Sequence, residues 1–212
     1  MPLELQPATD SDAKRAVEIE RDAYAPSPFS RILFPGPFPP EALDKRAEFL
    51  ATELKEDSTT RWLKIVDTDL SEGEQMIAFA KWHIYTEKPK PTATRTFGPG
   101  CNIEACEMLF PGIAEQRVRV LGDKPYVYLS LLHTDPKHQG RGAGGMLIKW
   151  GVDEARKLGL IAYLESSEAG HSVYAKCGFR DVECLSLDMS KWGATTMHNT
   201  WSMICDPSET PA

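Results

Sequence analysis

The residues best suited to chemistry cluster in one segment. Gly140, Gly142, Gly144 and Gly145 fall in the run Gln139-Gly140-Arg141-Gly142-Ala143-Gly144-Gly145, after the apolar run Tyr126–Leu132 and at the start of a helical pattern over Gly142–Lys157. A helix entered through glycines leaves its first backbone N–H groups unpaired, and the helix dipole adds about half a positive charge there. A phosphate or pyrophosphate is the natural occupant of such an end. Lys137 and His138 before the run and Arg141 within it are further anion contacts or a solvated basic turn. His133 precedes it and Tyr174 follows it, an imidazole and a phenol with ordinary pKa values of about 6.5 and 10.

The elements that position these residues read as alternating strands and helices. Leu3–Gln6 is a short strand, and a helix capped near Asp10 or Ser11 runs to about Ala23. In Ala25–Pro40 the prolines prevent regular helix, while Phe29, Ile32, Leu33, Phe34 and Phe38 are too apolar for a free linker. Glu41–Lys55 is helical. Arg61–Asp67 and Met76–Tyr85 form a hairpin across a polar turn. Glu87–Gly100 is loop, and Ile103–Val120 is partly helical. After the glycines come a strand at Leu160–Glu165, a short helix at His171–Lys176 and a final strand at Asp181–Met189. The pattern predicts an α/β (α+β) fold with a mixed central β-sheet flanked by helices, in one domain over 1–212.

Gly140, Gly142 and Gly145 fit G-x-G-x-x-G, with Glu165 twenty residues later. A dinucleotide-binding turn, however, sets its first glycine directly at the strand end, and here His133–Gln139 intervene. No Gly-Lys-Ser/Thr follows, so a Walker A loop is excluded. A turn with no ligand is the remaining plain reading. Taken together, Gln139 through Gly144 resemble the Q/R-x-x-G-x-G/A acetyl-CoA signature of the GCN5-related N-acetyltransferase (GNAT) superfamily. Leu132-His133-Thr134-Asp135-Pro136 resembles the strand end and proline before that signature. Tyr174-Ala175-Lys176-Cys177-Gly178-Phe179 resembles the late Tyr-x-x-x-Gly-Phe segment. The resemblance covers about 126–182; earlier residues agree only in the order of elements.

The resemblance implies acetyl transfer from acetyl-CoA directly to a primary amine. Main-chain groups of Leu132, His133 and Thr134 would meet the pantetheine arm, and Gln139, Gly140, Arg141, Gly142, Ala143 and Gly144 would wrap the pyrophosphate. Ser167 stands where many relatives carry asparagine. Tyr174 matches the family's general acid. A phenol suits protonation of a departing thiolate of similar pKa. For the base, His133 is the residue chosen from a set that includes His83, Glu165, Glu104 and Glu107. Phe29 and Phe34 would line the acceptor pocket, or else simply cover the core. The favoured acceptor is a small amine with an apolar body. A peptide amine and a CoA-binding module without turnover are the alternatives.

Composition bounds the rest. Of 212 residues, 42% are hydrophobic and 26% charged, with a formal net charge of −7. That balance argues against broad nucleic-acid binding. The five cysteines are odd in number and without C-x-x-C spacing, so neither a disulfide framework nor a zinc site is expected, and no metal. No apolar run approaches the ~20 residues that span a bilayer. The expected setting is cytoplasmic, as a monomer or homodimer.

Overall fold

Leu3–Pro7 (β1), Thr60–Asp67 (β2), Met76–Tyr85 (β3), Tyr126–Thr134 (β4), Ile161–Ser167 (β5), Arg180–Leu187 (β6) and His198–Cys205 (β7) form one sheet in the computed structural model. The structure describes residues 3–89, 95–206 and 208. The order is β1-β2-β3-β4-β5-β7-β6. Only β4 and β5 pair parallel; every other neighbour is antiparallel. The helices are Ala13–Tyr24 (α1), Pro28–Leu33 (α2), Ala42–Glu56 (α3), Ile103–Leu121 (α4), Ala143–Leu158 (α5) and Glu168–Lys176 (α6). This is the mixed sheet flanked by helices that the pattern predicted.

Three readings of the sequence are corrected. The prolines of Ala25–Pro40 do not exclude helix, because Pro28 sits in the first turn of α2 where its missing N–H costs nothing. Ile103–Val120 is one long helix rather than a partial one; Pro111 and Gly112 inside it weakened its signal. The last strand is β7, not β6. It slots between β5 and β6, pairing Ala162–Ser167 on one side and Arg180–Leu187 on the other. Part of the expected 87–100 loop, 90–94, lies outside the described residues. Among the described residues no helix is long and apolar enough to cross a membrane.

Two apolar layers cover the sheet. On one face α5 buries Leu147, Ile148, Gly151, Val152 and Ala155, a helical stripe. It packs on Ala78, Ala80, Trp82, Val127, Leu129 and Leu164. On the other face α1 and α3 bury Ala16, Val17, Ile19 and Leu50 against Trp62 and Phe79. A third cluster joins α2 to α4 through Leu33, Ala105, Cys106, Leu109 and Met189.

The contact between α5 and the sheet is set by Gly151. A Cβ there would meet the Trp82 ring at 2.2–2.3 Å. Trp82 is fully buried and its indole Nε1 donates to the Leu147 carbonyl at 3.3 Å, so the ring has no room to retreat. Gly151→Ala should therefore destabilise the fold by about 1–3 kcal/mol, despite the ~1 kcal/mol that alanine contributes to a helix interior. Urea unfolding checks this; equal or greater stability in the variant would refute the packing argument.

Candidate functional site

The site begins with a strand that leaves its neighbour. β4 and β5 pair only over Tyr126–Leu129 and Ile161–Leu164. On its other side, β4 carries a bulge against β3: Lys81 faces Leu131 and Trp82 faces Leu129, which leaves Ser130 without an opposite residue. The Ser130 hydroxyl donates to the Lys81 carbonyl at 3.1 Å and holds the irregularity. A bulge bends its strand and sharpens the twist. Beyond it, β5 continues on β7 through Ser167, while β4 stays on β3 through Thr134. The two strands thus open into a V, and the β4 backbone on the β5 side is free to pair with an extended ligand.

The glycine loop lies at the end of β4. Gly140 and Gly142 have φ of +76° and +88°, and Gly142 is the N-cap of α5. No atom lies within 4 Å of a Cβ built on either, so the glycines serve backbone shape and leave a clear cradle above the helix end. Charged pairs hold the loop. Asp135 accepts from the Lys137 N–H at 3.0 Å and from Arg15 of α1 at 2.6 Å. Burial alone would raise its pKa, but these two donors keep it below the ordinary carboxylate range. Arg141 reaches Asp67 at 2.6 Å and His138 Nδ1 at 3.0 Å, which ties the loop to the end of β2. Its guanidinium thus braces the loop. The Gln139 amide donates to the Thr134 carbonyl at 3.4 Å. An open edge leading to a helix N-terminus with a preformed glycine cradle fits a long ligand ending in a pyrophosphate.

Across the V stands Tyr174 of α6. Gly170, one turn earlier, makes room for it: a Cβ there would fall 2.8 Å from the ring. Burial raises the Tyr174 pKa, and the phenol of Tyr24 raises it further. Tyr24, at the end of α1, packs edge-on against His133 with centroids 5.0 Å apart. Tyr24 is 46% exposed as a residue, yet crowding of its hydroxyl end first and Glu20 second push its pKa up to about 12. Both phenols therefore keep their protons at neutral pH.

As strand alternation requires, Leu132 and His133 face opposite ways. Leu132 packs against the α5 layer. His133 points to α1, 5% exposed, with its Nε2 3.8 Å from Glu20 and no hydrogen-bond partner. Burial lowers its pKa more than Glu20 raises it. Glu20 is in turn held by both guanidinium arms of Arg46, at 3.0 and 3.1 Å. Burial would raise the Glu20 pKa, but the charge and hydrogen bonds of Arg46 win and keep it ionised.

The other expected bases are engaged elsewhere. Glu165 binds Arg117 at 2.6 Å and the Tyr128 hydroxyl at 2.8 Å, tying α4 to the sheet. His83 lies under α3 and β2, 3.3 Å from both Asp57 and the Thr60 hydroxyl and stacked between Tyr85 and Tyr128. Glu104 pairs with Lys191, and Glu107 is exposed. Ser167 is exposed at the N-cap of α6 with no hydrogen bond from its side chain to the helix end. Phe29 and Phe34 are half-buried in the α2–α4 cluster, Phe29 against His198 at 4.5 Å and Phe34 against Phe110 at 6.3 Å. Both therefore pack into the α2–α4 cluster. Among the described residues, no group of three or more His, Cys, Asp or Glu is placed to hold a metal ion.

Sequence reasoning missed Glu20, Tyr24, Arg46 and Arg15. Glu20 and Tyr24 are spaced i, i+4 on α1, so one helical face was a usable signal. The contact of Arg15 with a carboxylate 120 residues away left no local trace.

Comparison with known proteins gives this geometry relatives. A model of the acetyltransferase (GNAT) family matches residues 27–179. A probable acyltransferase, SID5, of Ajellomyces capsulatus is 51% identical over 42 residues, which are 20% of this chain and 31% of that protein's length. A Corynebacterium glutamicum structure described as histone acetyltransferase HPA2 and related acetyltransferase superposes with a TM-score of 0.60 at 19% identity, covering 100% of each chain. The putative acetyltransferase yncA of Salmonella typhimurium, solved with its cofactor acetyl-CoA, gives 0.56 at 15%, covering 99% of this chain and 96% of that one.

The buried polar cluster beneath the V makes a pH prediction. Burial first, and Lys81 second, lower the His83 pKa to about 4. Unfolded, the same imidazole titrates near ~6.5. Between these values the unfolded chain binds a proton that the fold refuses, so acidification costs stability. His83→Gln should remove up to about 3 kcal/mol of the loss between pH 7 and 4. His133 and His198, also lowered by burial, keep part of the slope in the variant. Identical pH slopes in denaturant melts of the two proteins would refute a buried neutral His83.

Proposed function

Since this chain belongs to the acetyltransferase (GNAT) family, an acetyl-CoA-dependent family, we propose that it moves the acetyl group directly to the primary amine of a small acceptor with an apolar body. The observation that carries this reading is the V between β4 and β5, with the glycine cradle at one arm and Tyr174 at the other. In the proposal, main-chain groups of Leu132, His133 and Thr134 hold the pantetheine arm. The Gln139–Gly144 loop holds the pyrophosphate, and the exposed Ser167 hydroxyl offers one more donor. Acetyl-CoA supplies a thioester whose carbonyl carbon accepts the amine.

The chain's own groups move the protons. The amine nitrogen bonds to the carbonyl carbon and the C–S bond breaks. Tyr174, protonated at neutral pH, gives its proton to the leaving sulfur. In the proposal His133, neutral at pH 7 with a buried Nε2 beside Glu20, takes up the proton shed by the attacking amine. A base of lowered pKa suffices, because nitrogen becomes far more acidic as it bonds to carbon. The paired Glu20 carboxylate stabilises the imidazolium that forms. No cysteine enters the scheme. Cys177 is three residues from Tyr174 and its thiol pKa is raised by burial, the opposite of an activated nucleophile.

Thermal shift with acetyl-CoA, CoA and NAD, followed by thiol release across a panel of small and peptide amines, tests the reading. Stabilisation by acetyl-CoA with thiol release on small amines is the expected result. Binding without release would make the chain a CoA-binding module, and faster release on peptides would change the acceptor class. Tyr174→Phe should lower kcat about 100-fold while KM for acetyl-CoA holds. Unchanged kcat would remove Tyr174 from its role.

A further inference from the structure

On the rings of the α2–α4 cluster, which also holds Phe29 and Phe34, stands a cation with no anion of its own. Arg95 follows the 90–94 segment and is exposed as a residue, yet its guanidinium carbon sits 4.0 Å from the Phe110 ring centroid and 5.5 Å from that of Phe97. Stacking on aromatic rings fixes the plane of a guanidinium and leaves its N–H edge pointing outward. Among the described residues, no carboxylate lies within ion-pair distance of it. Burial and the charge of Arg46 both disfavour its cationic form, as expected of a charge still waiting for a partner. The carboxylate whose charge acts on it is Glu20, and Arg46 already holds both Glu20 oxygens. Arg95 also acts electrostatically on Tyr24, the phenol that leans on His133 and influences Tyr174.

We propose that Arg95 is the specificity residue for a carboxylate on the acceptor, so that the substrate is an amine bearing a carboxylate, of amino-acid type. This rests on the acetyl-transfer reading above and names its substrate class. One planar monoanion matches one planar guanidinium, by two parallel hydrogen bonds. A dianionic phosphate would need a second free cation, and Arg46 is committed to Glu20. With its carboxylate on Arg95, the acceptor would turn its amine toward Glu20 and His133, and its apolar body would lie along the Phe29 and Phe34 side of the cleft. The net charge of −7 gives this local cation added weight, because nothing in the chain's overall field attracts an anion.

Two measurements test the proposal. Thiol release is compared on matched pairs, phenylalanine, leucine and lysine against their carboxamides, with wild type, Arg95→Gln and Arg95→Lys. Wild type should prefer the acids at least tenfold in kcat/KM. Arg95→Gln should abolish the preference, and Arg95→Lys should restore part of it. The second measurement needs no turnover: calorimetric titration of the CoA-loaded protein with N-acetylphenylalanine and with its carboxamide. The acid should bind at least fivefold tighter, and only when residue 95 is cationic. Equal use of acids and amides by wild type, equal or absent binding of the two N-acetyl compounds, or a preference that survives Arg95→Gln would each overturn it. Acid-selective binding with no thiol release on any amine would sustain the carboxylate site and overturn acetyl transfer instead, so the two failures are told apart.

Discussion

The divergence of β4 from β5 after four paired residues is the constraint on which the rest of the structure depends. A parallel pair normally zips along its length and satisfies every backbone group between the strands. Here the unmatched Ser130 bends β4 away, while β7 captures the end of β5. Backbone groups left unpaired in this way carry a cost unless something else pairs with them. In the proposed reading, a pantetheine-like chain laid along the open edge would restore that pairing with few side chains committed to it. The aromatic contact of Trp82 with the Gly151 backbone keeps α5, and therefore the cradle at its N-terminus, at a set height above β4.

The same divergence separates two kinds of surface. Toward α5 the core is apolar. Toward α1, α3 and α4 it is threaded with charges: Lys81 with Glu53, Arg46 with Glu20, Arg117 with Glu165 and His83 beside Asp57. Each is a paired charge or a neutralised imidazole, as burial demands. Against that background the groups left without partners stand out. His133 Nε2 has none, and Arg95 has rings but no anion. In the proposed reaction, unmet polar groups such as these are where a substrate would contribute what the protein lacks.

Much of this was legible in the chain, and particular residues explain where legibility stopped. The cradle was readable because glycine, a preceding strand and a helical pattern are local features, and φ near +80° at Gly140 and Gly142 is a property of residue type. The position of Tyr174 was readable because its separation from the cradle is a matter of spacing. The second strand after α6 was missed because β7 derives its place from two neighbours, not from a pattern of its own. The length of α4 was missed because Pro111 and Gly112 argue locally against what packing on Leu33 and Met189 enforces.

The sequence by itself determined the donor side of this protein: the glycine run, the strand before it and the tyrosine after it are set by residue type and short-range geometry. The acceptor side belongs to tertiary structure. Glu20 and Tyr24 share one face of α1, but no spacing relates that pair to Arg46 of α3, Arg95 of a loop or His133 of β4. Whether His133 faces α5 or α1 is decided by the bulge at Ser130, which resets strand alternation through contacts between β3 and β4. Partners brought together by closing long loops leave no periodic trace in the chain, so the pairing of Glu20 with Arg46, and the want of a partner at Arg95, exist only in the folded protein.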